Sequence, residues 1–290
     1  MIILDGKKTS QTIKDDLKQK VENIKKQGGK IPHLAVILVG ENGASKTYVN
    51  SKLKACKYVG FDSTLIKFDE TISEENLLYK IDELNNNDDI DGFIVQLPLP
   101  KHINEQKIIE AINPKKDIDG FHPENIGRMA LGLPSFIPAT PMGIVELLKH
   151  YDIKLTGKHA VILGRSHIVG RPLSILLSQK NEYANATVTL CHSNTNDIVH
   201  FTKQADIVIV ALGKPEYLKG DMIKDGAIII DVGISRIPVN NEKGYKIVGD
   251  VDFESVSPKA SYITPVPGGV GPMTIASLLL NTYLAATRKN

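Results

Sequence analysis

Short segments rich in apolar residues recur along the chain, and segments with helical periodicity separate them. The runs with the length of buried strands are His33–Val39, Ser63–Phe68, Asp91–Gln96, His159–Leu163, Thr187–Leu190, Asp206–Ala211 and Ala227–Asp231. The helical segments in the first half are Ser10–Lys26, the stretch that follows Gly40, and Glu74–Asn85. Strands that alternate with helices of this length predict βαβ units and therefore parallel sheets.

The alternation lapses between Asn113 and Pro141, where Pro, Gly and Asp are frequent, and it resumes at His159. We therefore predict an irregular connection between two α/β domains, with the boundary near residue 140. The last segment, Pro272–Ala286, has a proline suited to a first helical position and apolar residues at helical spacing.

The composition argues against several classes of protein. The 35 basic and 33 acidic residues are mixed along the chain, so nucleic acid is not an expected partner. No apolar run reaches the roughly 18 residues of a membrane span, and Met1–Leu4 leads directly into the polar Asp5–Lys8. Cys56 and Cys191 are the only cysteines, and no Cys/His spacing resembles a zinc site. We expect a reduced, cytosolic protein without a metal.

A glycine-containing turn, GRSHIVGRP, joins the predicted strand His159–Leu163 to a helical pattern. Such turns place backbone N–H groups and a helix N-terminus against a pyrophosphate. Compared with the G-x-G-x-x-G fingerprint, Ser166 replaces the second glycine and Gly170 comes one residue late. A plain strand-to-helix turn explains so loose a match equally well, but the neighbouring strands favour a dinucleotide site. The candidate cofactor-binding residues are Gly164, Arg165, Ser166, Ile168, Val169, Gly170, Ser193 and Ile234.

The end of the following strand indicates which dinucleotide this is. A site for NAD has Asp or Glu there, which accepts from the ribose 2′-hydroxyl. Cys191–Thr195 contains no carboxylate, whereas Arg165 suits a bidentate grip on a 2′-phosphate. The sequence therefore favours NADP, with Arg165 and Ser193 as contacts. The alternative for Arg165 is an ordinary surface arginine.

Tyr48 and Lys52 lie about one helical turn apart, so their side chains project from the same face. A lysine with its ordinary pKa of about 10.4 is a poor base at neutral pH, and catalysis requires burial or a nearby cation. Taken alone, this pair favours a structural role. Short-chain dehydrogenases also combine Tyr-x-x-x-Lys with NADP, but there the pair follows the glycine turn, whereas here it precedes it.

Gln96 strengthens the catalytic interpretation. It ends the apolar run of DGFIVQLPLP, and ligands bind outside the carboxyl ends of parallel strands. Gln96 and the helix that carries Lys52 should therefore face one crevice, with Pro98 and Pro100 as a stiff wall.

Two aspartates follow in KKDIDG. One of Asp117 and Asp119 could pair with Lys115 or Lys116 as part of the structure. The other could hold a cationic or donor-rich heterocycle.

Segments distributed over nearly the whole chain resemble the bifunctional methylenetetrahydrofolate dehydrogenase/methenyltetrahydrofolate cyclohydrolase family. In order they are YVNSKLKACKYVGF, DGFIVQLPLP, PKKDIDGFHPENIGR, PATPMGIVELL, GRSHIVGRP, ADIVIVALGKP, GAIIIDVGIS, GDVDF and ITPVPGGVGPMT. The second and the last are the most specific. One departure is His167, which stands where a small or amide residue is expected in GRSxIVG.

The resemblance implies an enzyme of one-carbon metabolism and purine biosynthesis. It implies NADP-dependent oxidation of 5,10-methylenetetrahydrofolate and hydrolysis of the product to 10-formyltetrahydrofolate, by a cytoplasmic homodimer. It also implies a folate-binding catalytic domain at 1–139, a Rossmann-like NADP-binding domain at 140–270, and a C-terminal helix at 271–290 that returns to the first domain.

The resemblance further implies roles for individual residues. Lys52 is the catalytic lysine, with Tyr48 and Gln96 beside it, and Asp119 binds the pterin end of the folate. The loop 267–274 closes over the substrate, so the other expected substrate contacts are Pro98, Pro267, Gly268 and Gly269. The competing hypotheses are a different NADP-dependent reductase and a non-catalytic dinucleotide sensor, under which Gln96 and the two aspartates have no assigned purpose.

Overall fold

The computed structural model describes residues 1–240 and 244–288. The strands are β1 (Ile2–Ile3), β2 (His33–Val39), β3 (Asp62–Phe68), β4 (Gly92–Val95), β5 (His159–Leu163), β6 (Thr187–Cys191), β7 (Ile207–Val210), β8 (Ile228–Asp231), β9 (Ser235–Pro238), β10 (Tyr245–Val248) and β11 (Tyr262–Ile263). The α-helices are α1 (Gly6–Lys26), α2 (Gly43–Val59), α3 (Glu74–Asn85), α4 (Glu105–Ala111), α5 (Pro123–Ala130), α6 (Ala139–His150), α7 (Gly170–Ser178), α8 (Ile198–Thr202), α9 (Phe253–Val256) and α10 (Val270–Thr287).

The chain forms two compact units. Unit 1 consists of Met1–Ser10 and Thr140–Thr274, and unit 2 consists of Gln11–Ala139 and Ile275–Asn290. The chain therefore passes between the units within α1, at the start of α6 and within α10. Lys289 and Asn290, which end the helix expected at 271–290, lie outside the described residues.

Unit 2 is built on a three-stranded parallel sheet in the order β3-β2-β4. Alternate residues of a strand point to opposite faces of its sheet. Along β2, Leu34, Val36 and Leu38 join one apolar cluster, and the residues between them join another on the opposite face. Because both faces are buried, β2 is apolar from Leu34 to Val39 instead of alternating with polar residues.

Unit 1 contains a six-stranded sheet in the order β1-β11-β8-β7-β5-β6, in which all neighbouring strands are parallel. The order of β6, β5, β7, β8 and β11 is that of a doubly wound sheet, whose topological switch point lies between β5 and β7. Ligands bind at the carboxyl ends of the strands next to a switch point. The turn that begins at Gly164 follows β5 directly.

The structure groups the first ten residues with unit 1, whereas the sequence analysis placed them in the first domain. Ile2 and Ile3 pair with Tyr262 and Ile263 of β11. This strand has only two residues, and neither is buried. The local sequence pattern therefore contains no sign of a pairing with a segment so distant along the chain.

The region expected to be an irregular connection contains α5 and the start of α6. Pro123 occupies the first turn of α5, where a missing N–H costs nothing, and the side chain of His122 accepts from Glu124 N. The antiparallel hairpin of β9 and β10 was also not predicted. Its strands have four residues each and are only partly buried, so no apolar run marks them.

Within the part of the chain that the structure describes, no helix is both long enough and apolar enough to cross a membrane.

We predict that Gly164→Ala destabilises the protein more than Gly213→Ala. Both glycines have positive φ, 115° and 66°, so either alanine is strained by about 1–2 kcal/mol. Only at Gly164 would the added Cβ meet a neighbour, the carbonyl oxygen of Ala211 at 2.2 Å. Urea denaturation should show a further loss of about 1–3 kcal/mol for Gly164→Ala. Equal losses would contradict close packing of the turns after β5 and β7.

Candidate active site

Lys52 lies on the buried face of α2. The helix begins at the cap residue Asn42, whose side chain accepts from two backbone N–H groups, and it ends at Gly60 with φ of 84°. Its buried residues are Ser45, Val49, Lys52, Ala55, Cys56 and Val59. Lys52 is 4% exposed and thus occupies a core position in an otherwise small or apolar stripe. Lysine is almost never buried without a partner.

Gln96 and Tyr48 provide those partners. Lys52 Nζ donates to Gln96 Oε1 at 3.1 Å. The same nitrogen lies 4.8 Å from the centroid of the Tyr48 ring, within the range of a cation–π interaction. The structure therefore brings the three predicted catalytic residues together.

Gln96 is held in place by its backbone and its own amide. It follows the last residue of β4, and its N–H donates to Ile37 O at the same edge of the sheet. Its Nε2 donates to Leu97 O at 2.7 Å, which leaves Oε1 directed at Lys52. The Leu97–Pro98 peptide is cis, and the Pro98 side chain is exposed.

Asp119 is the acidic partner of Lys52. The charge of Lys52 lowers the pKa of Asp119, but burial, with a smaller contribution from Asp117, outweighs it and raises that pKa above its usual range. Burial lowers the pKa of Lys52, against the opposing effect of Asp119. Burial therefore brings the proton affinities of the two groups closer together.

The structure distinguishes the two aspartates that the sequence left open. Asp117 is buried, and its carboxylate accepts from Gly120 N, His122 N and Asn125 Nδ2 at 3.2, 2.8 and 2.9 Å. Asp117 is the structural member of the pair, and Asp119 interacts with Lys52.

The sequence offered Lys115 or Lys116 as the partner of the structural aspartate, and neither is among the groups that hold Asp117 in the described part of the chain. Lys116 Nζ instead donates to Leu84 O and Asn87 O. Asp117 is held by backbone N–H groups and an asparagine, since these donors satisfy a buried carboxylate without burying a second charge.

Pro267, Gly268 and Gly269 belong to unit 1, whereas Lys52, Gln96 and Asp119 belong to unit 2. Gly268 O accepts from Lys7 N at 2.9 Å. A Cβ on Gly6 would lie 1.9 Å from Gly269 O, so the start of α1 packs tightly on this loop. The contribution of the loop to a substrate site stays a prediction.

The turn after β5 has the close packing that a dinucleotide site requires. A Cβ on Gly170 would lie 1.9 Å from Gly164 O, so α7 starts directly against the end of the strand. Ser166 Oγ accepts from Val169 N at 3.2 Å, and Ser166 O accepts from Arg171 N. The predicted members of this turn other than Val169 and the glycines are exposed, with Ile168 at 42% exposure. The glycine cradle and the N-terminus of α7 fit a pyrophosphate.

Arg165 and Ser193 occupy equivalent positions after neighbouring strands, because Leu163 pairs with Cys191 in the β5–β6 register. Both side chains are exposed. The first carboxylate after β6 belongs to Asp197, and it accepts from His200 N as the cap of α8. Ile234, after β8, is 70% exposed.

Asp250 is a residue at this edge that the sequence analysis did not single out. It is fully buried, and its Oδ2 accepts from Leu212 N and Gly213 N at 2.6 and 2.8 Å. It thereby fixes the turn after β7, beside the switch point.

Asp231, the last residue of β8, was missed in the same way. Its carboxylate accepts from Gly233 N, Asp250 N and Val251 N. Burial nevertheless raises the pKa of Asp231 to about 6. A Cβ on Gly249 would lie 1.8 Å from Asp231 Oδ2, so only glycine fits beside this carboxylate. The glycines next to the aspartates in DVG and GDV could therefore have indicated the two buried carboxylates.

Among the described residues, no group of three or more His, Cys, Asp and Glu side chains could hold a metal ion.

Comparison with known proteins identifies both parts of the chain. Residues 4–119 match the catalytic domain of the tetrahydrofolate dehydrogenase/cyclohydrolase family, and residues 138–290 match its NAD(P)-binding domain. The bifunctional protein FolD of Flavobacterium johnsoniae is 64% identical over 286 residues, which are 98% of this chain and 97% of the relative.

Solved structures agree. The FolD methylenetetrahydrofolate dehydrogenase/cyclohydrolase of Campylobacter jejuni has a TM-score of 0.93 and 53% identity, and the alignment covers 99% of this chain and 98% of that one. The Trypanosoma brucei enzyme, complexed with NADP and an inhibitor, has a TM-score of 0.94 and 35% identity with the same coverage.

These matches confirm the resemblance seen in the sequence, the two-domain α/β fold, the nicotinamide cofactor and the prediction of an enzyme with paired dehydrogenase and cyclohydrolase activities. They do not favour the dinucleotide sensor. The chain belongs to the tetrahydrofolate dehydrogenase/cyclohydrolase family.

Proposed function

We propose that the chain oxidises 5,10-methylenetetrahydrofolate with NADP and hydrolyses the methenyl product to 10-formyltetrahydrofolate, with Lys52 as the catalytic base. The family membership supports the pair of reactions. The observation that carries the role of Lys52 is its burial within the matched catalytic domain, with Nζ 3.1 Å from Gln96 Oε1. In a direct assay, methylenetetrahydrofolate and NADP should yield NADPH. A sensor would bind NADP without forming it.

In the oxidation, this chain's residues bind and orient the substrate. NADP, when bound, supplies the hydride acceptor. The Asp119 carboxylate suits the amino and ring N–H donors of a pterin; burial raises the pKa of this carboxyl, and the charge of its neighbour Lys52 opposes that effect. The Tyr48 ring centroid lies 4.8 Å from Lys52 Nζ, and the role that we assign to Tyr48 is to position the substrate.

In the hydrolysis, water attacks the cationic methenyl carbon. The oxygen lone pair forms the new C–O bond, and a water proton passes to the neutral amine of Lys52. The remaining hydroxyl then loses its proton as the formyl carbonyl forms, the C–N5 bond breaks with its electron pair on N5, and N5 takes up that proton while the first one stays on Lys52. Gln96 Oε1 orients the amine, and burial lowers the pKa of Lys52. A cationic substrate beside it acts in the same direction.

We further propose that Arg165 and Ser193 select NADP by binding its 2′-phosphate. Two observations support this proposal. Arg165 and Ser193 occupy equivalent positions after β5 and β6. Asp197, the first carboxylate after β6, caps α8 and is therefore engaged elsewhere than at a ribose hydroxyl. Arg165 offers the bidentate geometry that phosphate oxygens favour.

The resemblance also supports a homodimer in the cytoplasm, without nucleic acid or membrane partners, and a substrate contact by Pro98 and by the loop Pro267–Gly269. Light scattering on the purified protein should give the mass of a dimer, and the mass of a monomer would contradict this proposal.

We predict that Lys52→Met abolishes the cyclohydrolase reaction. Loss of a positioned base costs about 10²–10⁴-fold in rate, which can be followed from the decay of methenyltetrahydrofolate absorbance. The matched control is Lys54→Met, which removes an exposed lysine from the same helix and should keep wild-type turnover. Retention of full water addition in Lys52→Met would falsify the proposed base.

We predict that Gln96→Glu moves the cyclohydrolase pH profile to higher pH. The new carboxylate lies where the amide oxygen is 3.1 Å from Lys52 Nζ. It favours the charged ammonium and raises the pKa of Lys52, so the rising limb should shift upward by about 1–3 pH units. Gln19→Glu, at an exposed position of α1, is the control and should leave the profile unchanged. An unshifted profile in Gln96→Glu contradicts the use of neutral Lys52.

We predict that Arg165→Ala raises the KM for NADP by about 10–100-fold, since a charged hydrogen bond contributes about 1.5–3 kcal/mol. The KM for NAD, which lacks the 2′-phosphate, should not change. Arg171→Ala removes another exposed positive charge close by and serves as the control. If Arg165→Ala affects NADP and NAD equally, Arg165 does not select the cofactor.

A further inference from the structure

Asp119 has a fixed backbone but an uncommitted side chain. Within the described part of the chain, no residue donates a hydrogen bond to its carboxylate, and burial and the charges of Lys52 and Asp117 alone shift its pKa. The side chain is therefore available to a ligand. Apart from the charge interaction with Lys52, its position depends on what holds the peptide units on either side of it.

Asn281, on the last helix, holds both sides. It is 2% exposed, and its Nδ2 donates to Ile118 O at 2.8 Å and to Ile137 O at 2.9 Å. Both hydrogens of one amide are thus used on two separate segments. A buried amide in a mostly apolar helix is expensive unless it is satisfied in this way.

The first contact acts directly on Asp119. The carbonyl of Ile118 lies in the same rigid peptide plane as the backbone nitrogen of Asp119. A hydrogen bond to that oxygen therefore fixes the orientation of the peptide unit that leads into Asp119. The Ile118 side chain is itself buried tightly, because a Cβ on Gly92 would lie 2.3 Å from it.

The second contact acts through Gly120. Gly120 has φ of 74°, and a Cβ there would lie 2.7 Å from Ile137 C and from Pro138 N. The Ile137–Pro138 peptide is therefore the surface on which Gly120 rests. By binding both Ile137 O and Ile118 O, Asn281 fixes the Ile137–Pro138 peptide relative to Ile118.

We propose that Asn281 is the positioning residue for Asp119, so that the C-terminal helix sets the affinity for the heterocyclic end of the folate. This inference rests on the proposed role of Asp119. Asn281 touches no substrate and acts only through the loop. Asp117 restrains the same loop from the other side through Gly120 N and His122 N.

The test is Asn281→Ala, measured by the KM values for methylenetetrahydrofolate and NADP, kcat, and amide hydrogen exchange of the segment 117–122. We expect the folate KM to rise about 10-fold, since small displacements of a substrate contact are costly, while the NADP KM stays within about 2-fold. Exchange in the segment should become faster. These results would support the positioning role.

Thr282→Val is the matched control. Thr282 is the next residue, is fully buried, and donates only within its own helix, to Leu278 O at 2.8 Å. If Asn281→Ala fails to fold, Asn281→Asp keeps the shape of the side chain and, when its buried carboxyl is protonated, one donor. Asn281→Asp should then raise the folate KM above that of Thr282→Val, because it keeps only part of the hydrogen bonding of the amide.

A folate KM in the Asn281 variants that matches Thr282→Val overturns the positioning role, and so does a parallel change in folate KM, NADP KM and kcat. If the wild-type chain did not turn over methylenetetrahydrofolate, the proposed function would fall. Hydrogen exchange would still decide whether Asn281 holds the loop: unchanged exchange at 117–122 overturns the inference.

Discussion

The burial of the Lys52 ammonium is the constraint on which the rest of the candidate site depends. Removing a charged group from water costs several kcal/mol even after the protein relaxes. The structure offsets this cost with Gln96 Oε1, the face of the Tyr48 ring and the charge of Asp119. None of them neutralises the lysine completely, and burial lowers its pKa. Partners thus compensate the buried ammonium while its pKa is lowered, as the proposed role of Lys52 as a base requires.

The parallel sheet of unit 2 explains how these groups meet. Because β2 is the central strand, the helix that follows it and the residue that follows β4 start from the same edge. Gln96 N bonds to Ile37 O, which fixes the amide one residue beyond the paired strands. Lys52 reaches it from α2 because it lies on the helix face that packs on the sheet. Lys54 lies on an exposed face of α2, which does not pack on the sheet, and so it does not reach Gln96.

The strands β2 to β8, five of the helices (α1, α2, α3, α7 and α10) and the Lys52–Gln96 site were predictable because each depends on local periodicity or on the rule for strand ends. The prediction of β2, β5 and α3 was confirmed to the residue. The pairing of β1 with β11 was not predictable, since two exposed residues carry no periodic signal. Asn281 was also missed, because its importance depends on carbonyls 163 and 144 residues away in sequence. A buried polar residue in an apolar helix indicates that a partner exists without indicating where it lies.

In both units, a buried aspartate fixes a loop at the end of a strand by accepting hydrogen bonds from backbone N–H groups. In unit 2, the buried carboxylate of Asp117 accepts backbone N–H groups of the loop that presents Asp119. In unit 1, buried Asp250 accepts those of Leu212 and Gly213 in the turn after β7. A carboxylate can accept several such bonds at once, so one side chain fixes consecutive peptide units. In both units, main-chain N–H groups thus donate to a buried carboxylate, and this fixes the loop that presents Asp119 in one unit and the turn after β7 in the other.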